Sequence, residues 1–153
     1  MIKHIINGQK VDSKETFETV NPATGEVIDT VASGGEAEVN AAVAAAKAAF
    51  PGWAATPVKE RARLVRKLGE LIAANVEPIA DMETADTGQV TYQTKKVLVP
   101  RASDNFNYFA ELIQHMHGET YDSDTGHLNY TLWQPVGVCA LISPWNVPFM
   151  TAT

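Results

Sequence analysis

The chain has 153 residues, 45% of them hydrophobic, which suffices for one domain with a real core and makes two domains unexpected. Eighteen acids against twelve bases leave a formal charge of −6, which excludes the electrostatic footprint of a nucleic-acid binder or of a protein held on an anionic membrane. One cysteine rules out an intrachain disulfide and fits a reducing compartment; with no signal-peptide core and no run near the roughly 18 apolar residues of a membrane span, a cytoplasmic protein is expected.

The first elements read as short strands. His4-Ile5-Ile6 and Lys10-Val11 flank Asn7-Gly8, a hairpin signal because both central residues tolerate positive φ. Phe17-Glu18-Thr19-Val20 and Glu26-Val27-Ile28 flank a second turn, Asn21-Pro22-Ala23-Thr24-Gly25, built from turn formers. Ser33-Gly34-Gly35-Glu36 has the spacing of a capping box, so a helix is predicted to about Phe50, with Val39, Ala42, Val43, Ala46 and Phe50 on one face and Pro51-Gly52 ending it. Thr56 is expected to cap the next helix, with Pro57 at its first position. Leu64, Val65, Leu68, Leu71 and Ile72 would form its buried stripe, and Arg61, Arg63, Arg66 and Lys67, beside Glu60 and Glu70, a solvated face.

A third helix is predicted from about Glu77-Pro78 to Asp86-Thr87-Gly88, where Gly88 suits a left-handed cap. Glu83 and Asp86 could pair for proton transfer, but capping and packing are the simpler roles. The next helical stretch is interrupted at Pro100 by a kink or a fresh start, after which Ala102, Phe106, Phe109, Ala110 and Ile113 keep the helical period of a core face. His115 and His117 point in different directions at a spacing of two, so no metal site is expected. From Gly118 to Gln134 the pattern becomes a protruding hairpin. Its Leu128, Tyr130 and Leu132 alternate with Asn129, Thr131 and Trp133, an apolar surface that a lone hairpin cannot hide and that suits an assembly contact.

The run from Val138 to Ile142 shows no polar alternation and predicts a parallel strand covered by helices on both faces, stopped by Pro144. Asn146 then stands just beyond the strand's carboxyl end, where open α/β sheets bind ligands. Its carboxamide can donate to an oxygen that becomes negative as a carbonyl is attacked. On spacing alone the simpler reading is a turn asparagine bonding its own backbone before a helix that starts at Val147-Pro148. Cys139, between Val138 and Ala140, is expected to be a core cysteine whose thiol is desolvated and inert.

Pro135-Val136-Gly137-Val138 and Ser143-Pro144-Trp145-Asn146-Val147-Pro148-Phe149 resemble the Pro-Val-Gly and Pro-Trp-Asn-x-Pro signatures of the NAD(P)-dependent aldehyde dehydrogenase family. The Asn21 to Gly25 turn with Val27, and Glu83-Thr84-Ala85-Asp86-Thr87-Gly88, are similar to the same family's pattern, and the resemblance continues to Thr153. It implies that Asn146 helps hold the oxyanion and that Ile142, Ser143, Pro144 and Trp145 touch the cofactor, NAD with NADP not excluded. The implied fold is α/β, the incomplete N-terminal part of the aldehyde dehydrogenase fold: helices and the start of a Rossmann-like cofactor-binding sheet, with a protruding β-hairpin. Residues 1–117 and 135–153 would be the first part of the NAD-binding domain and residues 118–134 an oligomerisation hairpin. The catalytic domain, with the family's cysteine nucleophile, general-base glutamate and pyrophosphate loop, would lie outside this sequence, which is expected to be the first third of an enzyme.

The resemblance further implies a small-molecule aldehyde as substrate, a homo-oligomer (dimer or tetramer) as the complete protein, and no metal. Ala32 to Glu38, Met82 to Gly88, Leu98 to Ser103 and Gln134 to Thr153 are most similar to a branch that oxidises a carboxylated, unsaturated semialdehyde in aromatic-compound catabolism. A non-catalytic binding module, or an assembly protein acting through the hairpin, would be the alternatives.

Overall fold

The computed structural model describes residues 1–153 as three two-stranded antiparallel ribbons and a set of helices packed side by side. β1 (His4–Ile6) and β2 (Gln9–Val11) pair through the expected turn, Asn7 and Gly8 having φ of 52° and 73°. β3 (Glu15–Val20) and β4 (Val27–Ser33) pair from Glu15 against Ser33 to Thr19 against Asp29, and the register slips at Val20 as the turn begins. The Asn21 side chain closes that turn by accepting the Ala23 N–H at 2.9 Å, an Asx arrangement that explains the residue's place.

Helix α1 spans Glu36–Ala55 and corrects two expectations. Its N-cap is Gly35, whose N–H donates to the Glu38 carboxylate at 2.8 Å, because Ser33 is still paired with Glu15 in the ribbon and cannot leave it to cap. The helix also continues through Pro51. The proline removes one N–H, but α1 buries no residue, so the carbonyl left over on exposed Lys47 can face water. Thr56 closes α1 rather than opening the next helix: its hydroxyl donates to the Gly52 carbonyl at 2.9 Å, and Pro57 is the N-cap of α2 (Val58–Ala74).

The core is the seam between α2 and α5 (Val99–Leu112), closed by α3 (Val76–Thr87). Ala62, Gly69 and Ile72 are the buried residues of α2, and Val99, Ala102, Ser103 and Ala110 those of α5. This corrects the predicted stripe. Ile72 is in the core and Val65 is half-buried, but Leu64, Leu68 and Leu71 stay largely exposed because α2 turns its smallest residues toward α5. At Gly69 a Cβ would stand 3.0 Å from the Asn107 side-chain oxygen and 3.1 Å from the Ser103 carbonyl, and the Ser103 hydroxyl donates to the Gly69 carbonyl at 2.9 Å. Arg63, Arg66 and Lys67 are solvated as expected, Arg63 forking onto Glu60 at 2.6 and 2.8 Å and Lys67 meeting Glu70 at 3.3 Å, whereas Arg61 is half-buried and donates to the Ala54 carbonyl at 3.3 Å.

α3 ends at Gly88 in the predicted left-handed conformation, φ 73°. The expected interruption at Pro100 does not occur: a short α4 (Thr91–Gln93) widens into a π turn over Thr94–Leu98 that passes, with helical backbone throughout, into α5, and Pro100 stands just after the widened turn. Fully buried Thr94 sits on that turn, bonding the Thr91 carbonyl at 3.0 Å and the Thr84 hydroxyl at 2.8 Å. β5 (Thr120–Tyr121) and β6 (Asn129–Tyr130) form the expected hairpin, with Leu128, Tyr130, Leu132 and Trp133 exposed.

The mixed helix and strand composition matches the expected class, but the strand at Val138 to Ile142 is not formed. Residues 135–144 carry no regular secondary structure and join no ladder. A strand needs a neighbour's N–H and C=O groups, and each of the three ribbons is a local antiparallel pair that offers this segment no partner. Consequently Val136, Leu141 and Ile142 are exposed, and so is Cys139, which is not the core cysteine the apolar run suggested.

If the seam between α2 and α5 holds the helices together, Gly69→Val should overpack it and lower stability by about 1–3 kcal/mol, whereas Leu68→Ala should cost under about 1 kcal/mol. Circular-dichroism melts of the two variants check this ranking; the reverse order would return the core to the leucine face.

Candidate active site

Five predicted site residues are contiguous, from Ile142 to Asn146, and the structure lays them along one exposed strip that leads into α6 (Pro148–Thr151). Pro148 stands in the first turn of α6, and the Thr151 hydroxyl donates to the Val147 carbonyl at 2.9 Å, so the helix starts where the sequence placed it. Phe149 packs against the core cluster of Ile72, Ala80, Val99 and Ala102, which ties this end of the chain to α2, α3 and α5.

Asn146 is exposed in the turn just before α6. Its carboxamide is not bonded to its own backbone, so the capping role that spacing favoured is not the one it plays; the Asn146 backbone carbonyl accepts from the Gln89 Nε2 at 2.8 Å, across 57 residues. The side-chain NH2 is therefore free to donate outward. Spacing could not reveal Gln89. The only hint is its place after the Gly88 cap, where the chain leaves α3 and must turn toward something.

Glu83, on the buried face of α3, lies against the same turn. Only 7% of it is exposed and its Oε1 has no partner. Burial pushes its carboxyl above the ordinary range, the Phe149 backbone N–H at the start of α6 draws it partly back, and Asp86 pushes it up again. It acts as a packed group under α6, which agrees with the packing role expected of it. Asp86 instead accepts the Thr19 hydroxyl at 2.5 Å, joining α3 to β3.

Cys139 has no base within hydrogen-bond reach; its sulfur lies 4.0 Å from the Gly137 carbonyl and meets nothing that would activate it. No cluster of three or more His, Cys, Asp or Glu side chains is placed to hold a metal, and no helix is long and apolar enough to cross a membrane. An apolar groove of about 610 Å³ lies between α2, α3, α5 and α6, lined by Leu68, Leu71, Met82, Phe106 and Phe149 among others and by no titratable group, so it has packing surface but no chemistry.

The strip is open to a flat ligand. Ile142 is 94% and Trp145 88% exposed, and the backbone of residues 142–144 belongs to no ladder, so the Ile142 and Ser143 N–H groups and the carbonyls of residues 142–144 have no ladder partners. Beside it stands one neutral donor, the Asn146 amide.

The sequence profile of the Aldehyde dehydrogenase family matches residues 9–153. The chain is 66% identical to 5-carboxymethyl-2-hydroxymuconate semialdehyde dehydrogenase of Escherichia coli over 99% of its own length and 32% of that protein. It is 40% identical to 2-hydroxymuconic semialdehyde dehydrogenase of Pseudomonas sp. (strain CF600), over 99% of this chain and 33% of the relative. PnpE, a protein from Pseudomonas sp. WBC-3, has been crystallised with nicotinamide adenine dinucleotide; that structure superimposes with a TM-score of 0.92 at 38% identity, over 97% of this chain and 31% of that one. The chain thus spans about a third of the length of the curated relatives it matches.

The Glu83 carboxyl generates a pH dependence of known sign. Because folding raises its pKa, it contributes stability that is fully present below the ordinary carboxylate value of 4.5 and lost as pH rises through the folded value. Glu83→Gln keeps the shape and removes the titration, so it should raise the melting temperature at pH 7.5 and leave it nearly unchanged at pH 4. A lower melting temperature at pH 7.5 would show that the charged carboxylate is the form the fold needs.

Proposed function

The chain belongs to the aldehyde dehydrogenase family, and from that premise we propose that it supplies the cofactor-facing and oxyanion-holding part of an NAD-dependent enzyme that oxidises an unsaturated semialdehyde to its carboxylate. The observation that carries the proposal is the 66% identity with the E. coli semialdehyde dehydrogenase over nearly the whole chain. The candidate substrate is 5-carboxymethyl-2-hydroxymuconate semialdehyde, in the breakdown of 4-hydroxyphenylacetate by way of homoprotocatechuate. On this reading residues 1–117 and 135–153 form the first part of the NAD-binding domain. Residues 118–134 serve a homo-oligomer of a longer, cytoplasmic polypeptide.

The proposed chemistry needs a thiolate that this chain does not supply, since Cys139 lacks a base. A cysteine elsewhere in the longer polypeptide attacks the aldehyde carbon, the C=O π electrons move onto oxygen, and the Asn146 NH2 donates to that oxygen as its charge develops. A neutral amide suits the task because it has no proton to lose and no charge to tie it to the substrate's ground state. Ile142 and Trp145 present apolar surface to NAD, and Ser143 and Pro144 present backbone. NAD, when bound, supplies the hydride acceptor. The exposed Leu128, Tyr130, Leu132 and Trp133 favour a second reading, an assembly module without chemistry of its own.

Asn146→Ala in the longer enzyme should lower kcat by about 10²–10³ with little change in cofactor affinity, as for loss of one oxyanion-hole donor. Asn146→Asp should be at least as damaging, because it puts an acceptor of like charge where the donor was. Near-normal single-turnover rates with lowered thermal stability would reduce Asn146 to a turn residue. Residues 1–153 alone should oxidise no aldehyde; aldehyde-dependent NADH formation that Cys139→Ser abolishes would overturn the placement of the nucleophile outside this chain and favour Cys139.

A further inference from the structure

We infer that Gln89 is the positioning residue for Asn146, holding the backbone from which the oxyanion donor projects; the inference rests on the oxyanion reading of Asn146. An oxyanion donor must be kept within about 0.5 Å of its working position. Two contacts fix the turn. Phe149 anchors α6 in the core, and the Gln89 Nε2 grips the Asn146 carbonyl at 2.8 Å. That carbonyl is attached to the Asn146 Cα, so the bond limits rotation about the Cα–C bond and with it the direction in which the carboxamide leaves the chain.

Gln89 is itself aimed. It follows Gly88, whose φ of 73° turns the chain out of α3. Gly88 is pressed so closely on the turn between β3 and β4 that a Cβ there would lie 2.8 Å from the Pro22 Cγ. The Gln89 N–H, at 3.3 Å from the Thr87 hydroxyl, completes the turn. Half-buried Gln89 is thus set by the end of α3 and the β3–β4 turn, and passes that placement to the turn that carries Asn146.

The test is a double-mutant cycle in the longer enzyme, read as single-turnover hydride transfer. Gln89→Met, of equal length but without a donor, should lower the rate about 3- to 10-fold, the worth of one hydrogen bond, with KM for the aldehyde and for NAD unchanged. Gln89→Lys, which keeps an N–H donor on an unbranched stem, should recover most of the rate. In the Asn146→Ala background Gln89→Met should change nothing further. If Gln89→Met costs the same factor with or without Asn146, or costs nothing while Asn146→Ala is severe, the positioning role falls and the oxyanion reading stands. If Asn146→Ala itself leaves the rate near normal, the oxyanion reading falls and this inference with it.

Discussion

The close contact of α2 with α5 is the constraint on which the rest depends. Gly69 brings the α2 backbone against the Ser103 carbonyl, and the Ser103 hydroxyl returns a bond to the Gly69 carbonyl, so the two helices meet without large side chains between them. The buried Ser103 hydroxyl would be costly if left unpaired; the Gly69 carbonyl accepts from it in addition to its place in the α2 ladder. With α5 seated there, Val99 and Ala102 meet Ile72 and Ala80, and Phe149 can lie against the same cluster. The place of α6, and so of the Asn146 turn before it, is therefore inherited from a glycine and a serine far away in the sequence.

The π turn at Thr94–Leu98 is the adjustment that makes this packing compatible with Pro100. A regular helix through Pro100 would lose a ladder bond and meet the proline ring one turn back. The wider turn, in which the Val99 N–H reaches the Thr94 carbonyl, shifts the ladder just before the proline and carries the helix on into α5. Thr94, fully buried on that turn, has its hydroxyl satisfied by Thr91 and Thr84, so the side chain buried at the irregular turn carries no unpaired polar atom. Thr84 belongs to α3, and the same bond sets α3 against the turn, holding the end from which Glu83 meets the Phe149 N–H and Gln89 meets the Asn146 carbonyl.

What was legible in the sequence was what is decided locally. Asn7-Gly8, the Asn21 to Gly25 turn, Gly88 and the start at Pro148 each follow from the φ that one residue permits, and all four stand as expected. What failed was decided by a distant partner. Ser33 has the right spacing for a capping box, yet its pairing with Glu15 removes it from the role; Leu64, Leu68 and Leu71 have a helical period, yet the seam prefers Ala62 and Gly69 because closer backbones bury more atoms. The site divides in the same way. Ile142 to Asn146 are recognisable as a motif, while Gln89 reaches Asn146 through a bond that no period or spacing encodes.

The misplaced strand is informative for the same reason. Val138 to Ile142 has the composition of a strand buried on both faces, and burial of that kind requires neighbours on both edges and layers above and below. Only 12 of 153 residues are buried, too few for a chain of this length and hydrophobicity to have satisfied its own pattern. The unsatisfied surfaces are specific: the leucine face of α2 beside the apolar groove, the hairpin at Leu128 to Trp133, and the strip from Val136 to Trp145. On the proposed reading these are the faces that the remaining two-thirds of a polypeptide of the relatives' length, and a second subunit, would cover. The strip differs from the other two in what completion would leave open. Pairing the Val138 to Ile142 backbone into a sheet consumes ladder groups along the strand, but Pro144 ends the ladder before Trp145 and Asn146, so the donor stays outside the sheet and available to a ligand. On the proposed reading, Pro144 is thus the local feature that separates the part of this segment that would be buried from the part that would meet a ligand.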